Sequence, residues 1–90
     1  MLKKEFIIIN KLGLHARAAS SLVKVANSFE ADVHIGKDEL RINGKSIMGV
    51  LMLAASQGST IQVETNGLDE EQALAALGEL ISDGFGELEE

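Results

Sequence analysis

A histidine and an arginine stand two residues apart where a segment with helical periodicity begins. The stretch GLHARAAS, residues 13–20, places His15 and Arg17 between the apolar run EFIII and the segment SSLVKVANSF. The first turn of a helix has unpaired N–H groups and a partial positive charge, so it attracts anions such as phosphate. A neutral imidazole there has one nitrogen with a free lone pair, as a nucleophile requires. The pattern favours phosphoryl transfer, with Arg17 as a charge-assisted contact.

Two other interpretations of this motif stay open. A loop histidine beside a surface arginine would contain the same residues and perform no chemistry. A metal-binding module would need further ligands near His15, and the chain has no cysteine to supply them. Neither a paired acid nor a set of metal ligands accompanies His15, so the residues do not favour a hydrolase. No cofactor is expected. His34, which alternates with Val33 and Ile35, is expected to face solvent.

The segment from Ile47 to Ala55 is apolar on all sides and is preceded by Ser46. On a helix, one face would be buried and would contain Ile47, Val50, Leu53 and Ala54. A second face, which a small core leaves uncovered, would contain Met48, Leu51, Met52 and Ala55. Exposed apolar patches rich in Met often dock partners, although the whole helix could also belong to the core. Ser46 is either a plain N-cap or a residue at which a phosphate is electrostatically favourable.

Composition and charge limit the class of protein. The chain of 90 residues suits one domain, residues 1–90, and the absence of cysteine favours the cytoplasm. A net charge of −6 with three aromatic residues is atypical of nucleic-acid binding. Every Lys and Arg lies between Lys3 and Lys45, so this half can present a positive face to an acidic partner. The longest apolar run has nine residues, too few to span a membrane.

Hydrophobic periodicity predicts seven elements in the order β-α-β-β-α-β-α. They cover residues 3–9, 16–29, 31–35, 40–42, 46–56, 59–65 and 68–81. Asp69 and Gln72 are expected to form a capping box at the last helix. Alternating strands imply a sheet with one wet face, so the three helices should cover the other. The predicted fold class is α+β, an open-faced sandwich of four antiparallel strands and three helices.

Together, GLHARAAS and NGKSIMGVLMLAASQGS resemble the HPr family, the histidine-containing phosphocarriers of the bacterial phosphoenolpyruvate:sugar phosphotransferase system. The resemblance covers almost the whole chain, including DEEQALAALGELI. It implies a monomer with sheet order 1-4-2-3, and a carrier rather than a free-standing enzyme. It implies that His15 accepts a phosphoryl group on Nδ1 from enzyme I, beside Arg17, and passes it to IIA domains. It also implies that Ser46 is the regulatory phosphorylation site of an HPr kinase/phosphorylase.

The same resemblance indicates a partner-binding face with a basic rim around an apolar centre. Its residues would be Arg17, Ser20, Lys24, Ile47, Met48 and Leu51. The chain has Ala18 where the family motif usually has proline. This departure leaves open a nitrogen-branch or regulatory HPr, whose phosphorylation state signals instead of feeding sugar uptake. A second alternative is an adaptor that binds a transcriptional regulator once Ser46 is phosphorylated.

Overall fold

A computed structural model describes residues 1–87 as an antiparallel sheet with helices on one face. The strands are β1 (Leu2–Ile7), β2 (Asp32–Lys37), β3 (Leu40–Asn43) and β4 (Thr60–Asn66). The helices are α1 (Ala16–Asn27), α2 (Ile47–Met52) and α3 (Glu70–Ser82), followed by a short 3₁₀ turn at Gly84–Gly86. The sheet order β1-β4-β2-β3 confirms the expected order 1-4-2-3 and the β-α-β-β-α-β-α topology.

The two faces of the sheet differ in the way that strand alternation predicts. Along β2 and β4, every second residue is buried against the helices, and Ile35 lies opposite Val63 in the antiparallel register. Burial of one such side chain contributes about 1.5–3 kcal/mol. The outer face is polar, and Arg41 there forms a two-pronged ion pair with Glu64 at 3.0 and 3.2 Å. His34, half-buried, alternates with the buried Val33 and Ile35, as expected.

Helix α2 is shorter than predicted, and its predicted faces are only partly correct. Ile47 and Ala54 are exposed, whereas Ala55, assigned to the uncovered face, is buried. For Ala54 and Ala55 the reason is the φ of +49° at Ala54, which turns the chain out of the helix. The carbonyl of Ala55 then accepts a hydrogen bond from the Leu14 N–H at 2.9 Å, a contact that a continued helix would not allow.

The predicted capping box at α3 is also wrong, although Asp69 does occupy the N-cap position. Its carboxylate accepts hydrogen bonds from the N–H groups of Glu30 and Ala31, at 2.9 and 2.8 Å, instead of capping its own helix. The Glu30 N–H foremost, together with that of Ala31, holds the pKa of Asp69 below its ordinary value. Asp69 therefore ties the start of α3 to the turn before β2. No hydrogen bond joins Gln72 to Asp69 within residues 1–87.

Candidate functional site

His15 occupies the N-cap position of α1 but does not cap the helix with its side chain. Its backbone is extended, with φ −77° and ψ −178°, and its carbonyl accepts from the Ala19 N–H at 2.8 Å. The ring makes no hydrogen bond to the first-turn N–H groups. These groups stay available at the positive end of a helix of 12 residues, which is where an anion binds.

The loop before His15 is fixed by close contact with the segment that follows α2. Gly13 has φ +66°, and a Cβ at this position would lie 2.4 Å from the carbonyl oxygen of Ala55. Leu14 is buried, and its N–H donates to the same oxygen. Only glycine fits both this backbone conformation and this approach. The start of α1 and the end of the α2 segment are therefore joined at one carbonyl.

The imidazole of His15 contacts a carboxylate from the far end of the described chain. Its Nε2 atom lies 2.6 Å from Oε2 of Glu87, which follows the 3₁₀ turn. Phe85 is buried in the core and anchors this turn, while Gly84 and Gly86 take positive φ values on either side of it. The histidine side chain is 28% exposed and the Glu87 side chain only 9%.

Two further side chains hold Glu87 beside the ring. Asn10, fully buried, donates from Nδ2 to Oε1 of Glu87 at 2.9 Å, and also to the Gly13 carbonyl at 2.9 Å. Arg17 places Nη2 3.5 Å from Oε2 of Glu87, with 76% of its side chain exposed. Burial raises the pKa of Glu87, but hydrogen bonds from His15 and Asn10, with the charge of Arg17, outweigh it and lower this pKa overall.

The geometry leaves one ring nitrogen of His15 for chemistry. Nε2 is engaged by Glu87, and within residues 1–87 no protein group forms a hydrogen bond with Nδ1. An imidazole nitrogen without a protein partner, next to free N–H groups and an exposed guanidinium, can attack an electrophilic phosphorus and hold the resulting phosphate. The described residues contain no cluster of three or more His, Cys, Asp or Glu that could hold a metal ion.

Ser46 occupies the N-cap position of α2 and does cap it. Its Oγ accepts a hydrogen bond from the Gly49 N–H at 3.1 Å, and its backbone is extended. Lys45, just before it, donates from Nζ to the Phe29 carbonyl at 2.8 Å, near the end of α1. The structure therefore shows the capping role that the sequence allowed.

Helices α1 and α2 pack side by side and present the residues predicted to bind partners. We call this group the α1/α2 surface: Arg17, Ser20, Lys24, Ile47, Met48 and Leu51, all of which are exposed. Met48 is 73% exposed and Ile47 43%, which is high for such apolar side chains. A continuous apolar centre with basic neighbours is typical of a docking surface.

Asn10 and Glu87 belong to the site but were not found from the sequence. Glu87 is 72 positions from His15 along the chain, and no spacing rule connects the two. The segment GFGE did contain a signal, because two glycines around an aromatic residue mark a turn with a buried anchor. Nothing in that signal shows where the turn packs.

Comparison with known proteins places these features in one family. The sequence model described as "PTS HPr component phosphorylation site" matches residues 2–83. The phosphocarrier protein HPr of Neisseria meningitidis is 52% identical over 87 residues, which are 97% of this chain and 98% of that protein. HPr of Pseudomonas aeruginosa is 50% identical over 84 residues, 92% of this chain and 93% of that one.

Solved structures agree with the sequence comparison. The crystal structure of HPr from Thermoanaerobacter tengcongensis superposes with a TM-score of 0.94 at 42% identity, and covers 97% of this chain and 98% of its own. The described residues contain no helix long and apolar enough to cross a membrane. The matches cover nearly the full length of this chain and of each related protein, and they include the His15 and Ser46 segments. This chain belongs to the HPr family, the phosphocarriers of the phosphotransferase system.

Proposed function

We propose that this chain accepts a phosphoryl group on Nδ1 of His15 from phosphorylated enzyme I and passes it to IIA domains of sugar permeases in the cytoplasm. The observation that carries the proposal is the position of His15. Its ring is half-exposed at the first turn of α1, and Nδ1 is the nitrogen that Glu87 leaves unengaged. Family membership supports the same chemistry.

The transfer step follows from this position. The lone pair of Nδ1 attacks phosphorus, a P–N bond forms, and the donor's bond to phosphorus breaks with its electron pair staying on the donor. The first-turn N–H groups of α1 then face the new phosphate oxygens, where the helix favours negative charge. Arg17, largely exposed and 3.5 Å from Glu87, is close enough to the ring to add a charge-assisted contact to the phosphate.

Docking to enzyme I and to IIA domains is assigned to the α1/α2 surface. A carrier must release each partner quickly, so the interface should be small, below about 1,200 Å² in total. The apolar centre around Met48 supplies contact area, and Arg17 and Lys24 attract acidic partners. Because exposed charges act mainly on association, these two side chains should control the rate of encounter.

Regulation at Ser46 is the second part of the proposal. Ser46 precedes Ile47 and Met48, so a phosphate on its Oγ would stand beside the α1/α2 surface. A phosphoserine adds roughly −1.5 to −2 charges at neutral pH and would repel the acidic partners that this surface attracts. The enzyme that would install it is an HPr kinase/phosphorylase, and a transcriptional regulator could bind the product.

Transfer assays with isolated components test the carrier function. The protein is incubated with phosphoenolpyruvate and a catalytic amount of enzyme I, then mixed with a sugar-type or a nitrogen-type IIA domain. The proposal expects one phosphoryl group per chain, lost rapidly to the sugar-type domain. Rapid loss only to the nitrogen-type domain would instead establish the regulatory alternative. A chain that accepts no phosphoryl group would exclude both.

A further inference from the structure

The contacts of Asn10 indicate a role for the turn that follows α3. Asn10 is fully buried, and its Nδ2 donates both to the Gly13 carbonyl and to Oε1 of Glu87, each at 2.9 Å. Both partners are oxygens that accept here, so the orientation of the amide is settled. Within the described part of the chain no donor reaches Oδ1. A buried carbonyl oxygen without a donor costs folding free energy. Any stabilisation by the Asn10 amide therefore comes from the two hydrogen bonds that its Nδ2 donates.

Those two bonds place the Glu87 carboxylate against the histidine ring. Oε1 is held by Asn10, and this leaves Oε2 at 2.6 Å from Nε2 of His15. Burial opposes ionisation of Glu87, but the hydrogen bonds from His15 and Asn10 outweigh burial and lower its pKa, so Glu87 is ionised at neutral pH. An ionised carboxylate only accepts hydrogen bonds, so Nε2 must carry a proton. A neutral ring then has its lone pair on Nδ1.

We propose that Asn10 and Glu87 are positioning residues that hold His15 in the tautomer whose lone pair is on Nδ1. This inference rests on the proposed function, phosphorylation of His15 at Nδ1, and adds two residues to it. Asn10 orients Glu87, and Glu87 fixes the proton on Nε2. When the P–N bond forms at Nδ1 and the donor's bond to phosphorus breaks, the ring gains positive charge while Nε2 keeps its proton. Glu87 then stabilises the charge that develops.

Arg17 can reduce the electrostatic repulsion between the Glu87 carboxylate and a phosphate on His15. Its Nη2 lies 3.5 Å from Oε2 of Glu87, and most of its side chain is in solvent. The guanidinium has five N–H donors, so it can contact Glu87 and a phosphate oxygen on the neighbouring nitrogen together. The positive charge between the two anions reduces their repulsion.

The Glu87→Gln variant tests the proposal directly. A glutamine offers one acceptor oxygen and one NH₂ group, with two N–H donors, in place of two acceptor oxygens. If its carbonyl keeps the contact with Asn10, its NH₂ group faces Nε2 and favours the opposite tautomer. Nitrogen-15 NMR of the His15 ring, recorded at about pH 9 where an imidazole is neutral, reports which nitrogen carries the proton. We expect the proton on Nε2 in the parent protein and a marked loss of that form in Glu87→Gln.

The rate of phosphorylation by enzyme I supplies the second readout. A hydrogen bond to a charged group is lost in Glu87→Gln, so the rate should fall about 10- to 100-fold. Glu71→Gln, an exposed substitution in the first turn of α3, is the matched control and should change neither the tautomer nor the rate. Asn10→Ala should act in the same direction, and the double variant should lose little more than Glu87→Gln alone, since the two act as one unit.

An unchanged tautomer together with an unchanged rate in Glu87→Gln would overturn the positioning role. Glutamine has nearly the same shape as glutamate and leaves the buried Asn10 in place, so the result does not depend on whether Asn10→Ala folds. The NMR measurement needs neither enzyme I nor phosphoenolpyruvate. A parent protein that is never phosphorylated would therefore refute the proposed function, while the tautomer result would still decide whether Glu87 fixes the ring proton.

Discussion

The N–H of Leu14 donates to the carbonyl of Ala55 at 2.9 Å, and this bond joins the two segments that carry His15 and Ser46. Leu14 immediately precedes the histidine, and Ala55 closes the segment that Ser46 opens. The bond also explains why α2 ends early, because Ala55 must leave the helix for its carbonyl to reach the loop. The orientation of the His15 loop thus depends on the chain beyond α2.

Replacement of Gly13 tests this connection. In Gly13→Ala, the new Cβ would lie 2.4 Å from the Ala55 oxygen at a φ of +66°, so the loop must move. Such backbone strain costs on the order of 1–3 kcal/mol, and phosphorylation of His15 should slow as well. Gly58→Ala is the control, because its φ of +92° is also strained but its Cβ meets nothing within 4 Å. Urea unfolding that shows Gly13→Ala as stable as the parent would contradict the role of this contact.

Substitutions at Ser46 separate its capping role from its charge. Ser46→Ala removes the bond from Gly49 and should destabilise the fold by about 0.5–2 kcal/mol. Ser46→Asp keeps a capping acceptor and adds a negative charge at the helix start, worth roughly 0.3–1 kcal/mol. It should therefore melt slightly above the parent while its His15 is phosphorylated much more slowly.

Ser46→Asn is the matched control for the charge, because asparagine caps equally well and is neutral. It should melt near the parent and be phosphorylated at the parent's rate. Equal phosphorylation rates for Ser46→Asp and Ser46→Asn, measured with enzyme I, would mean that Ser46 is only a helix cap.

Charge reversal on the α1/α2 surface tests electrostatic steering. Lys24→Glu should slow transfer from enzyme I strongly at low salt and weakly at high salt, because exposed charges are screened over about 10 Å at 0.1 M salt. Met48→Asp should weaken docking at every salt concentration, since Met48 supplies apolar contact. Lys3→Glu makes the same change in net charge on β1 and should have little effect. A salt-independent loss in Lys24→Glu would count against steering.

The carboxylate of Asp69 makes stability depend on pH. Its pKa lies below the ordinary 3.8 because it accepts from the N–H groups of Glu30 and Ala31. The stabilisation that the ionised Asp69 carboxylate contributes is fully present at pH values above its ordinary pKa. It is lost as the pH falls through the lowered pKa of the folded state. The melting temperature of Asp69→Asn should thus be below the parent's near pH 6, with the difference shrinking as the pH falls below 3.8. A difference in melting temperature between Asp69→Asn and the parent that stays constant with pH would exclude a stabilising role of the ionised carboxylate. An equally large difference for the exposed Asp32→Asn would exclude it too.

The fold was predictable from sequence where local pattern and tertiary packing agree. Strand alternation in STIQVET, and in the hairpin of β2 and β3, predicts both the elements and the buried face. The hairpin turn is tighter than predicted, because Gly36 and Lys37 extend β2 and pair with Arg41 and Leu40. Prediction failed where a distant contact decides the local structure. Ala54 leaves the helix because Ala55 bonds to Leu14, and Asp69 turns from its own helix to the N–H groups before β2.

The residues of the candidate site also fall into two groups, those that local sequence predicts and those that it does not. His15, Arg17 and Ser46 are candidates that the sequence predicts, because their residue types and helix positions suit phosphate chemistry. Asn10 and Glu87 were missed, since each acts only through a contact with a residue remote in sequence. A buried asparagine amide and a carboxylate after the last helix have no local pattern that reveals a shared partner.

Mapping the phosphate on the labelled chain distinguishes His15 from every other acceptor. The chain is incubated with phosphoenolpyruvate and enzyme I, digested under alkaline conditions that preserve a P–N bond, and mapped by mass spectrometry. We expect one acid-labile phosphate, on the peptide that contains His15, present in His34→Ala and absent in His15→Ala. Full labelling of His15→Ala, or a phosphate mapped to any other residue, would contradict it.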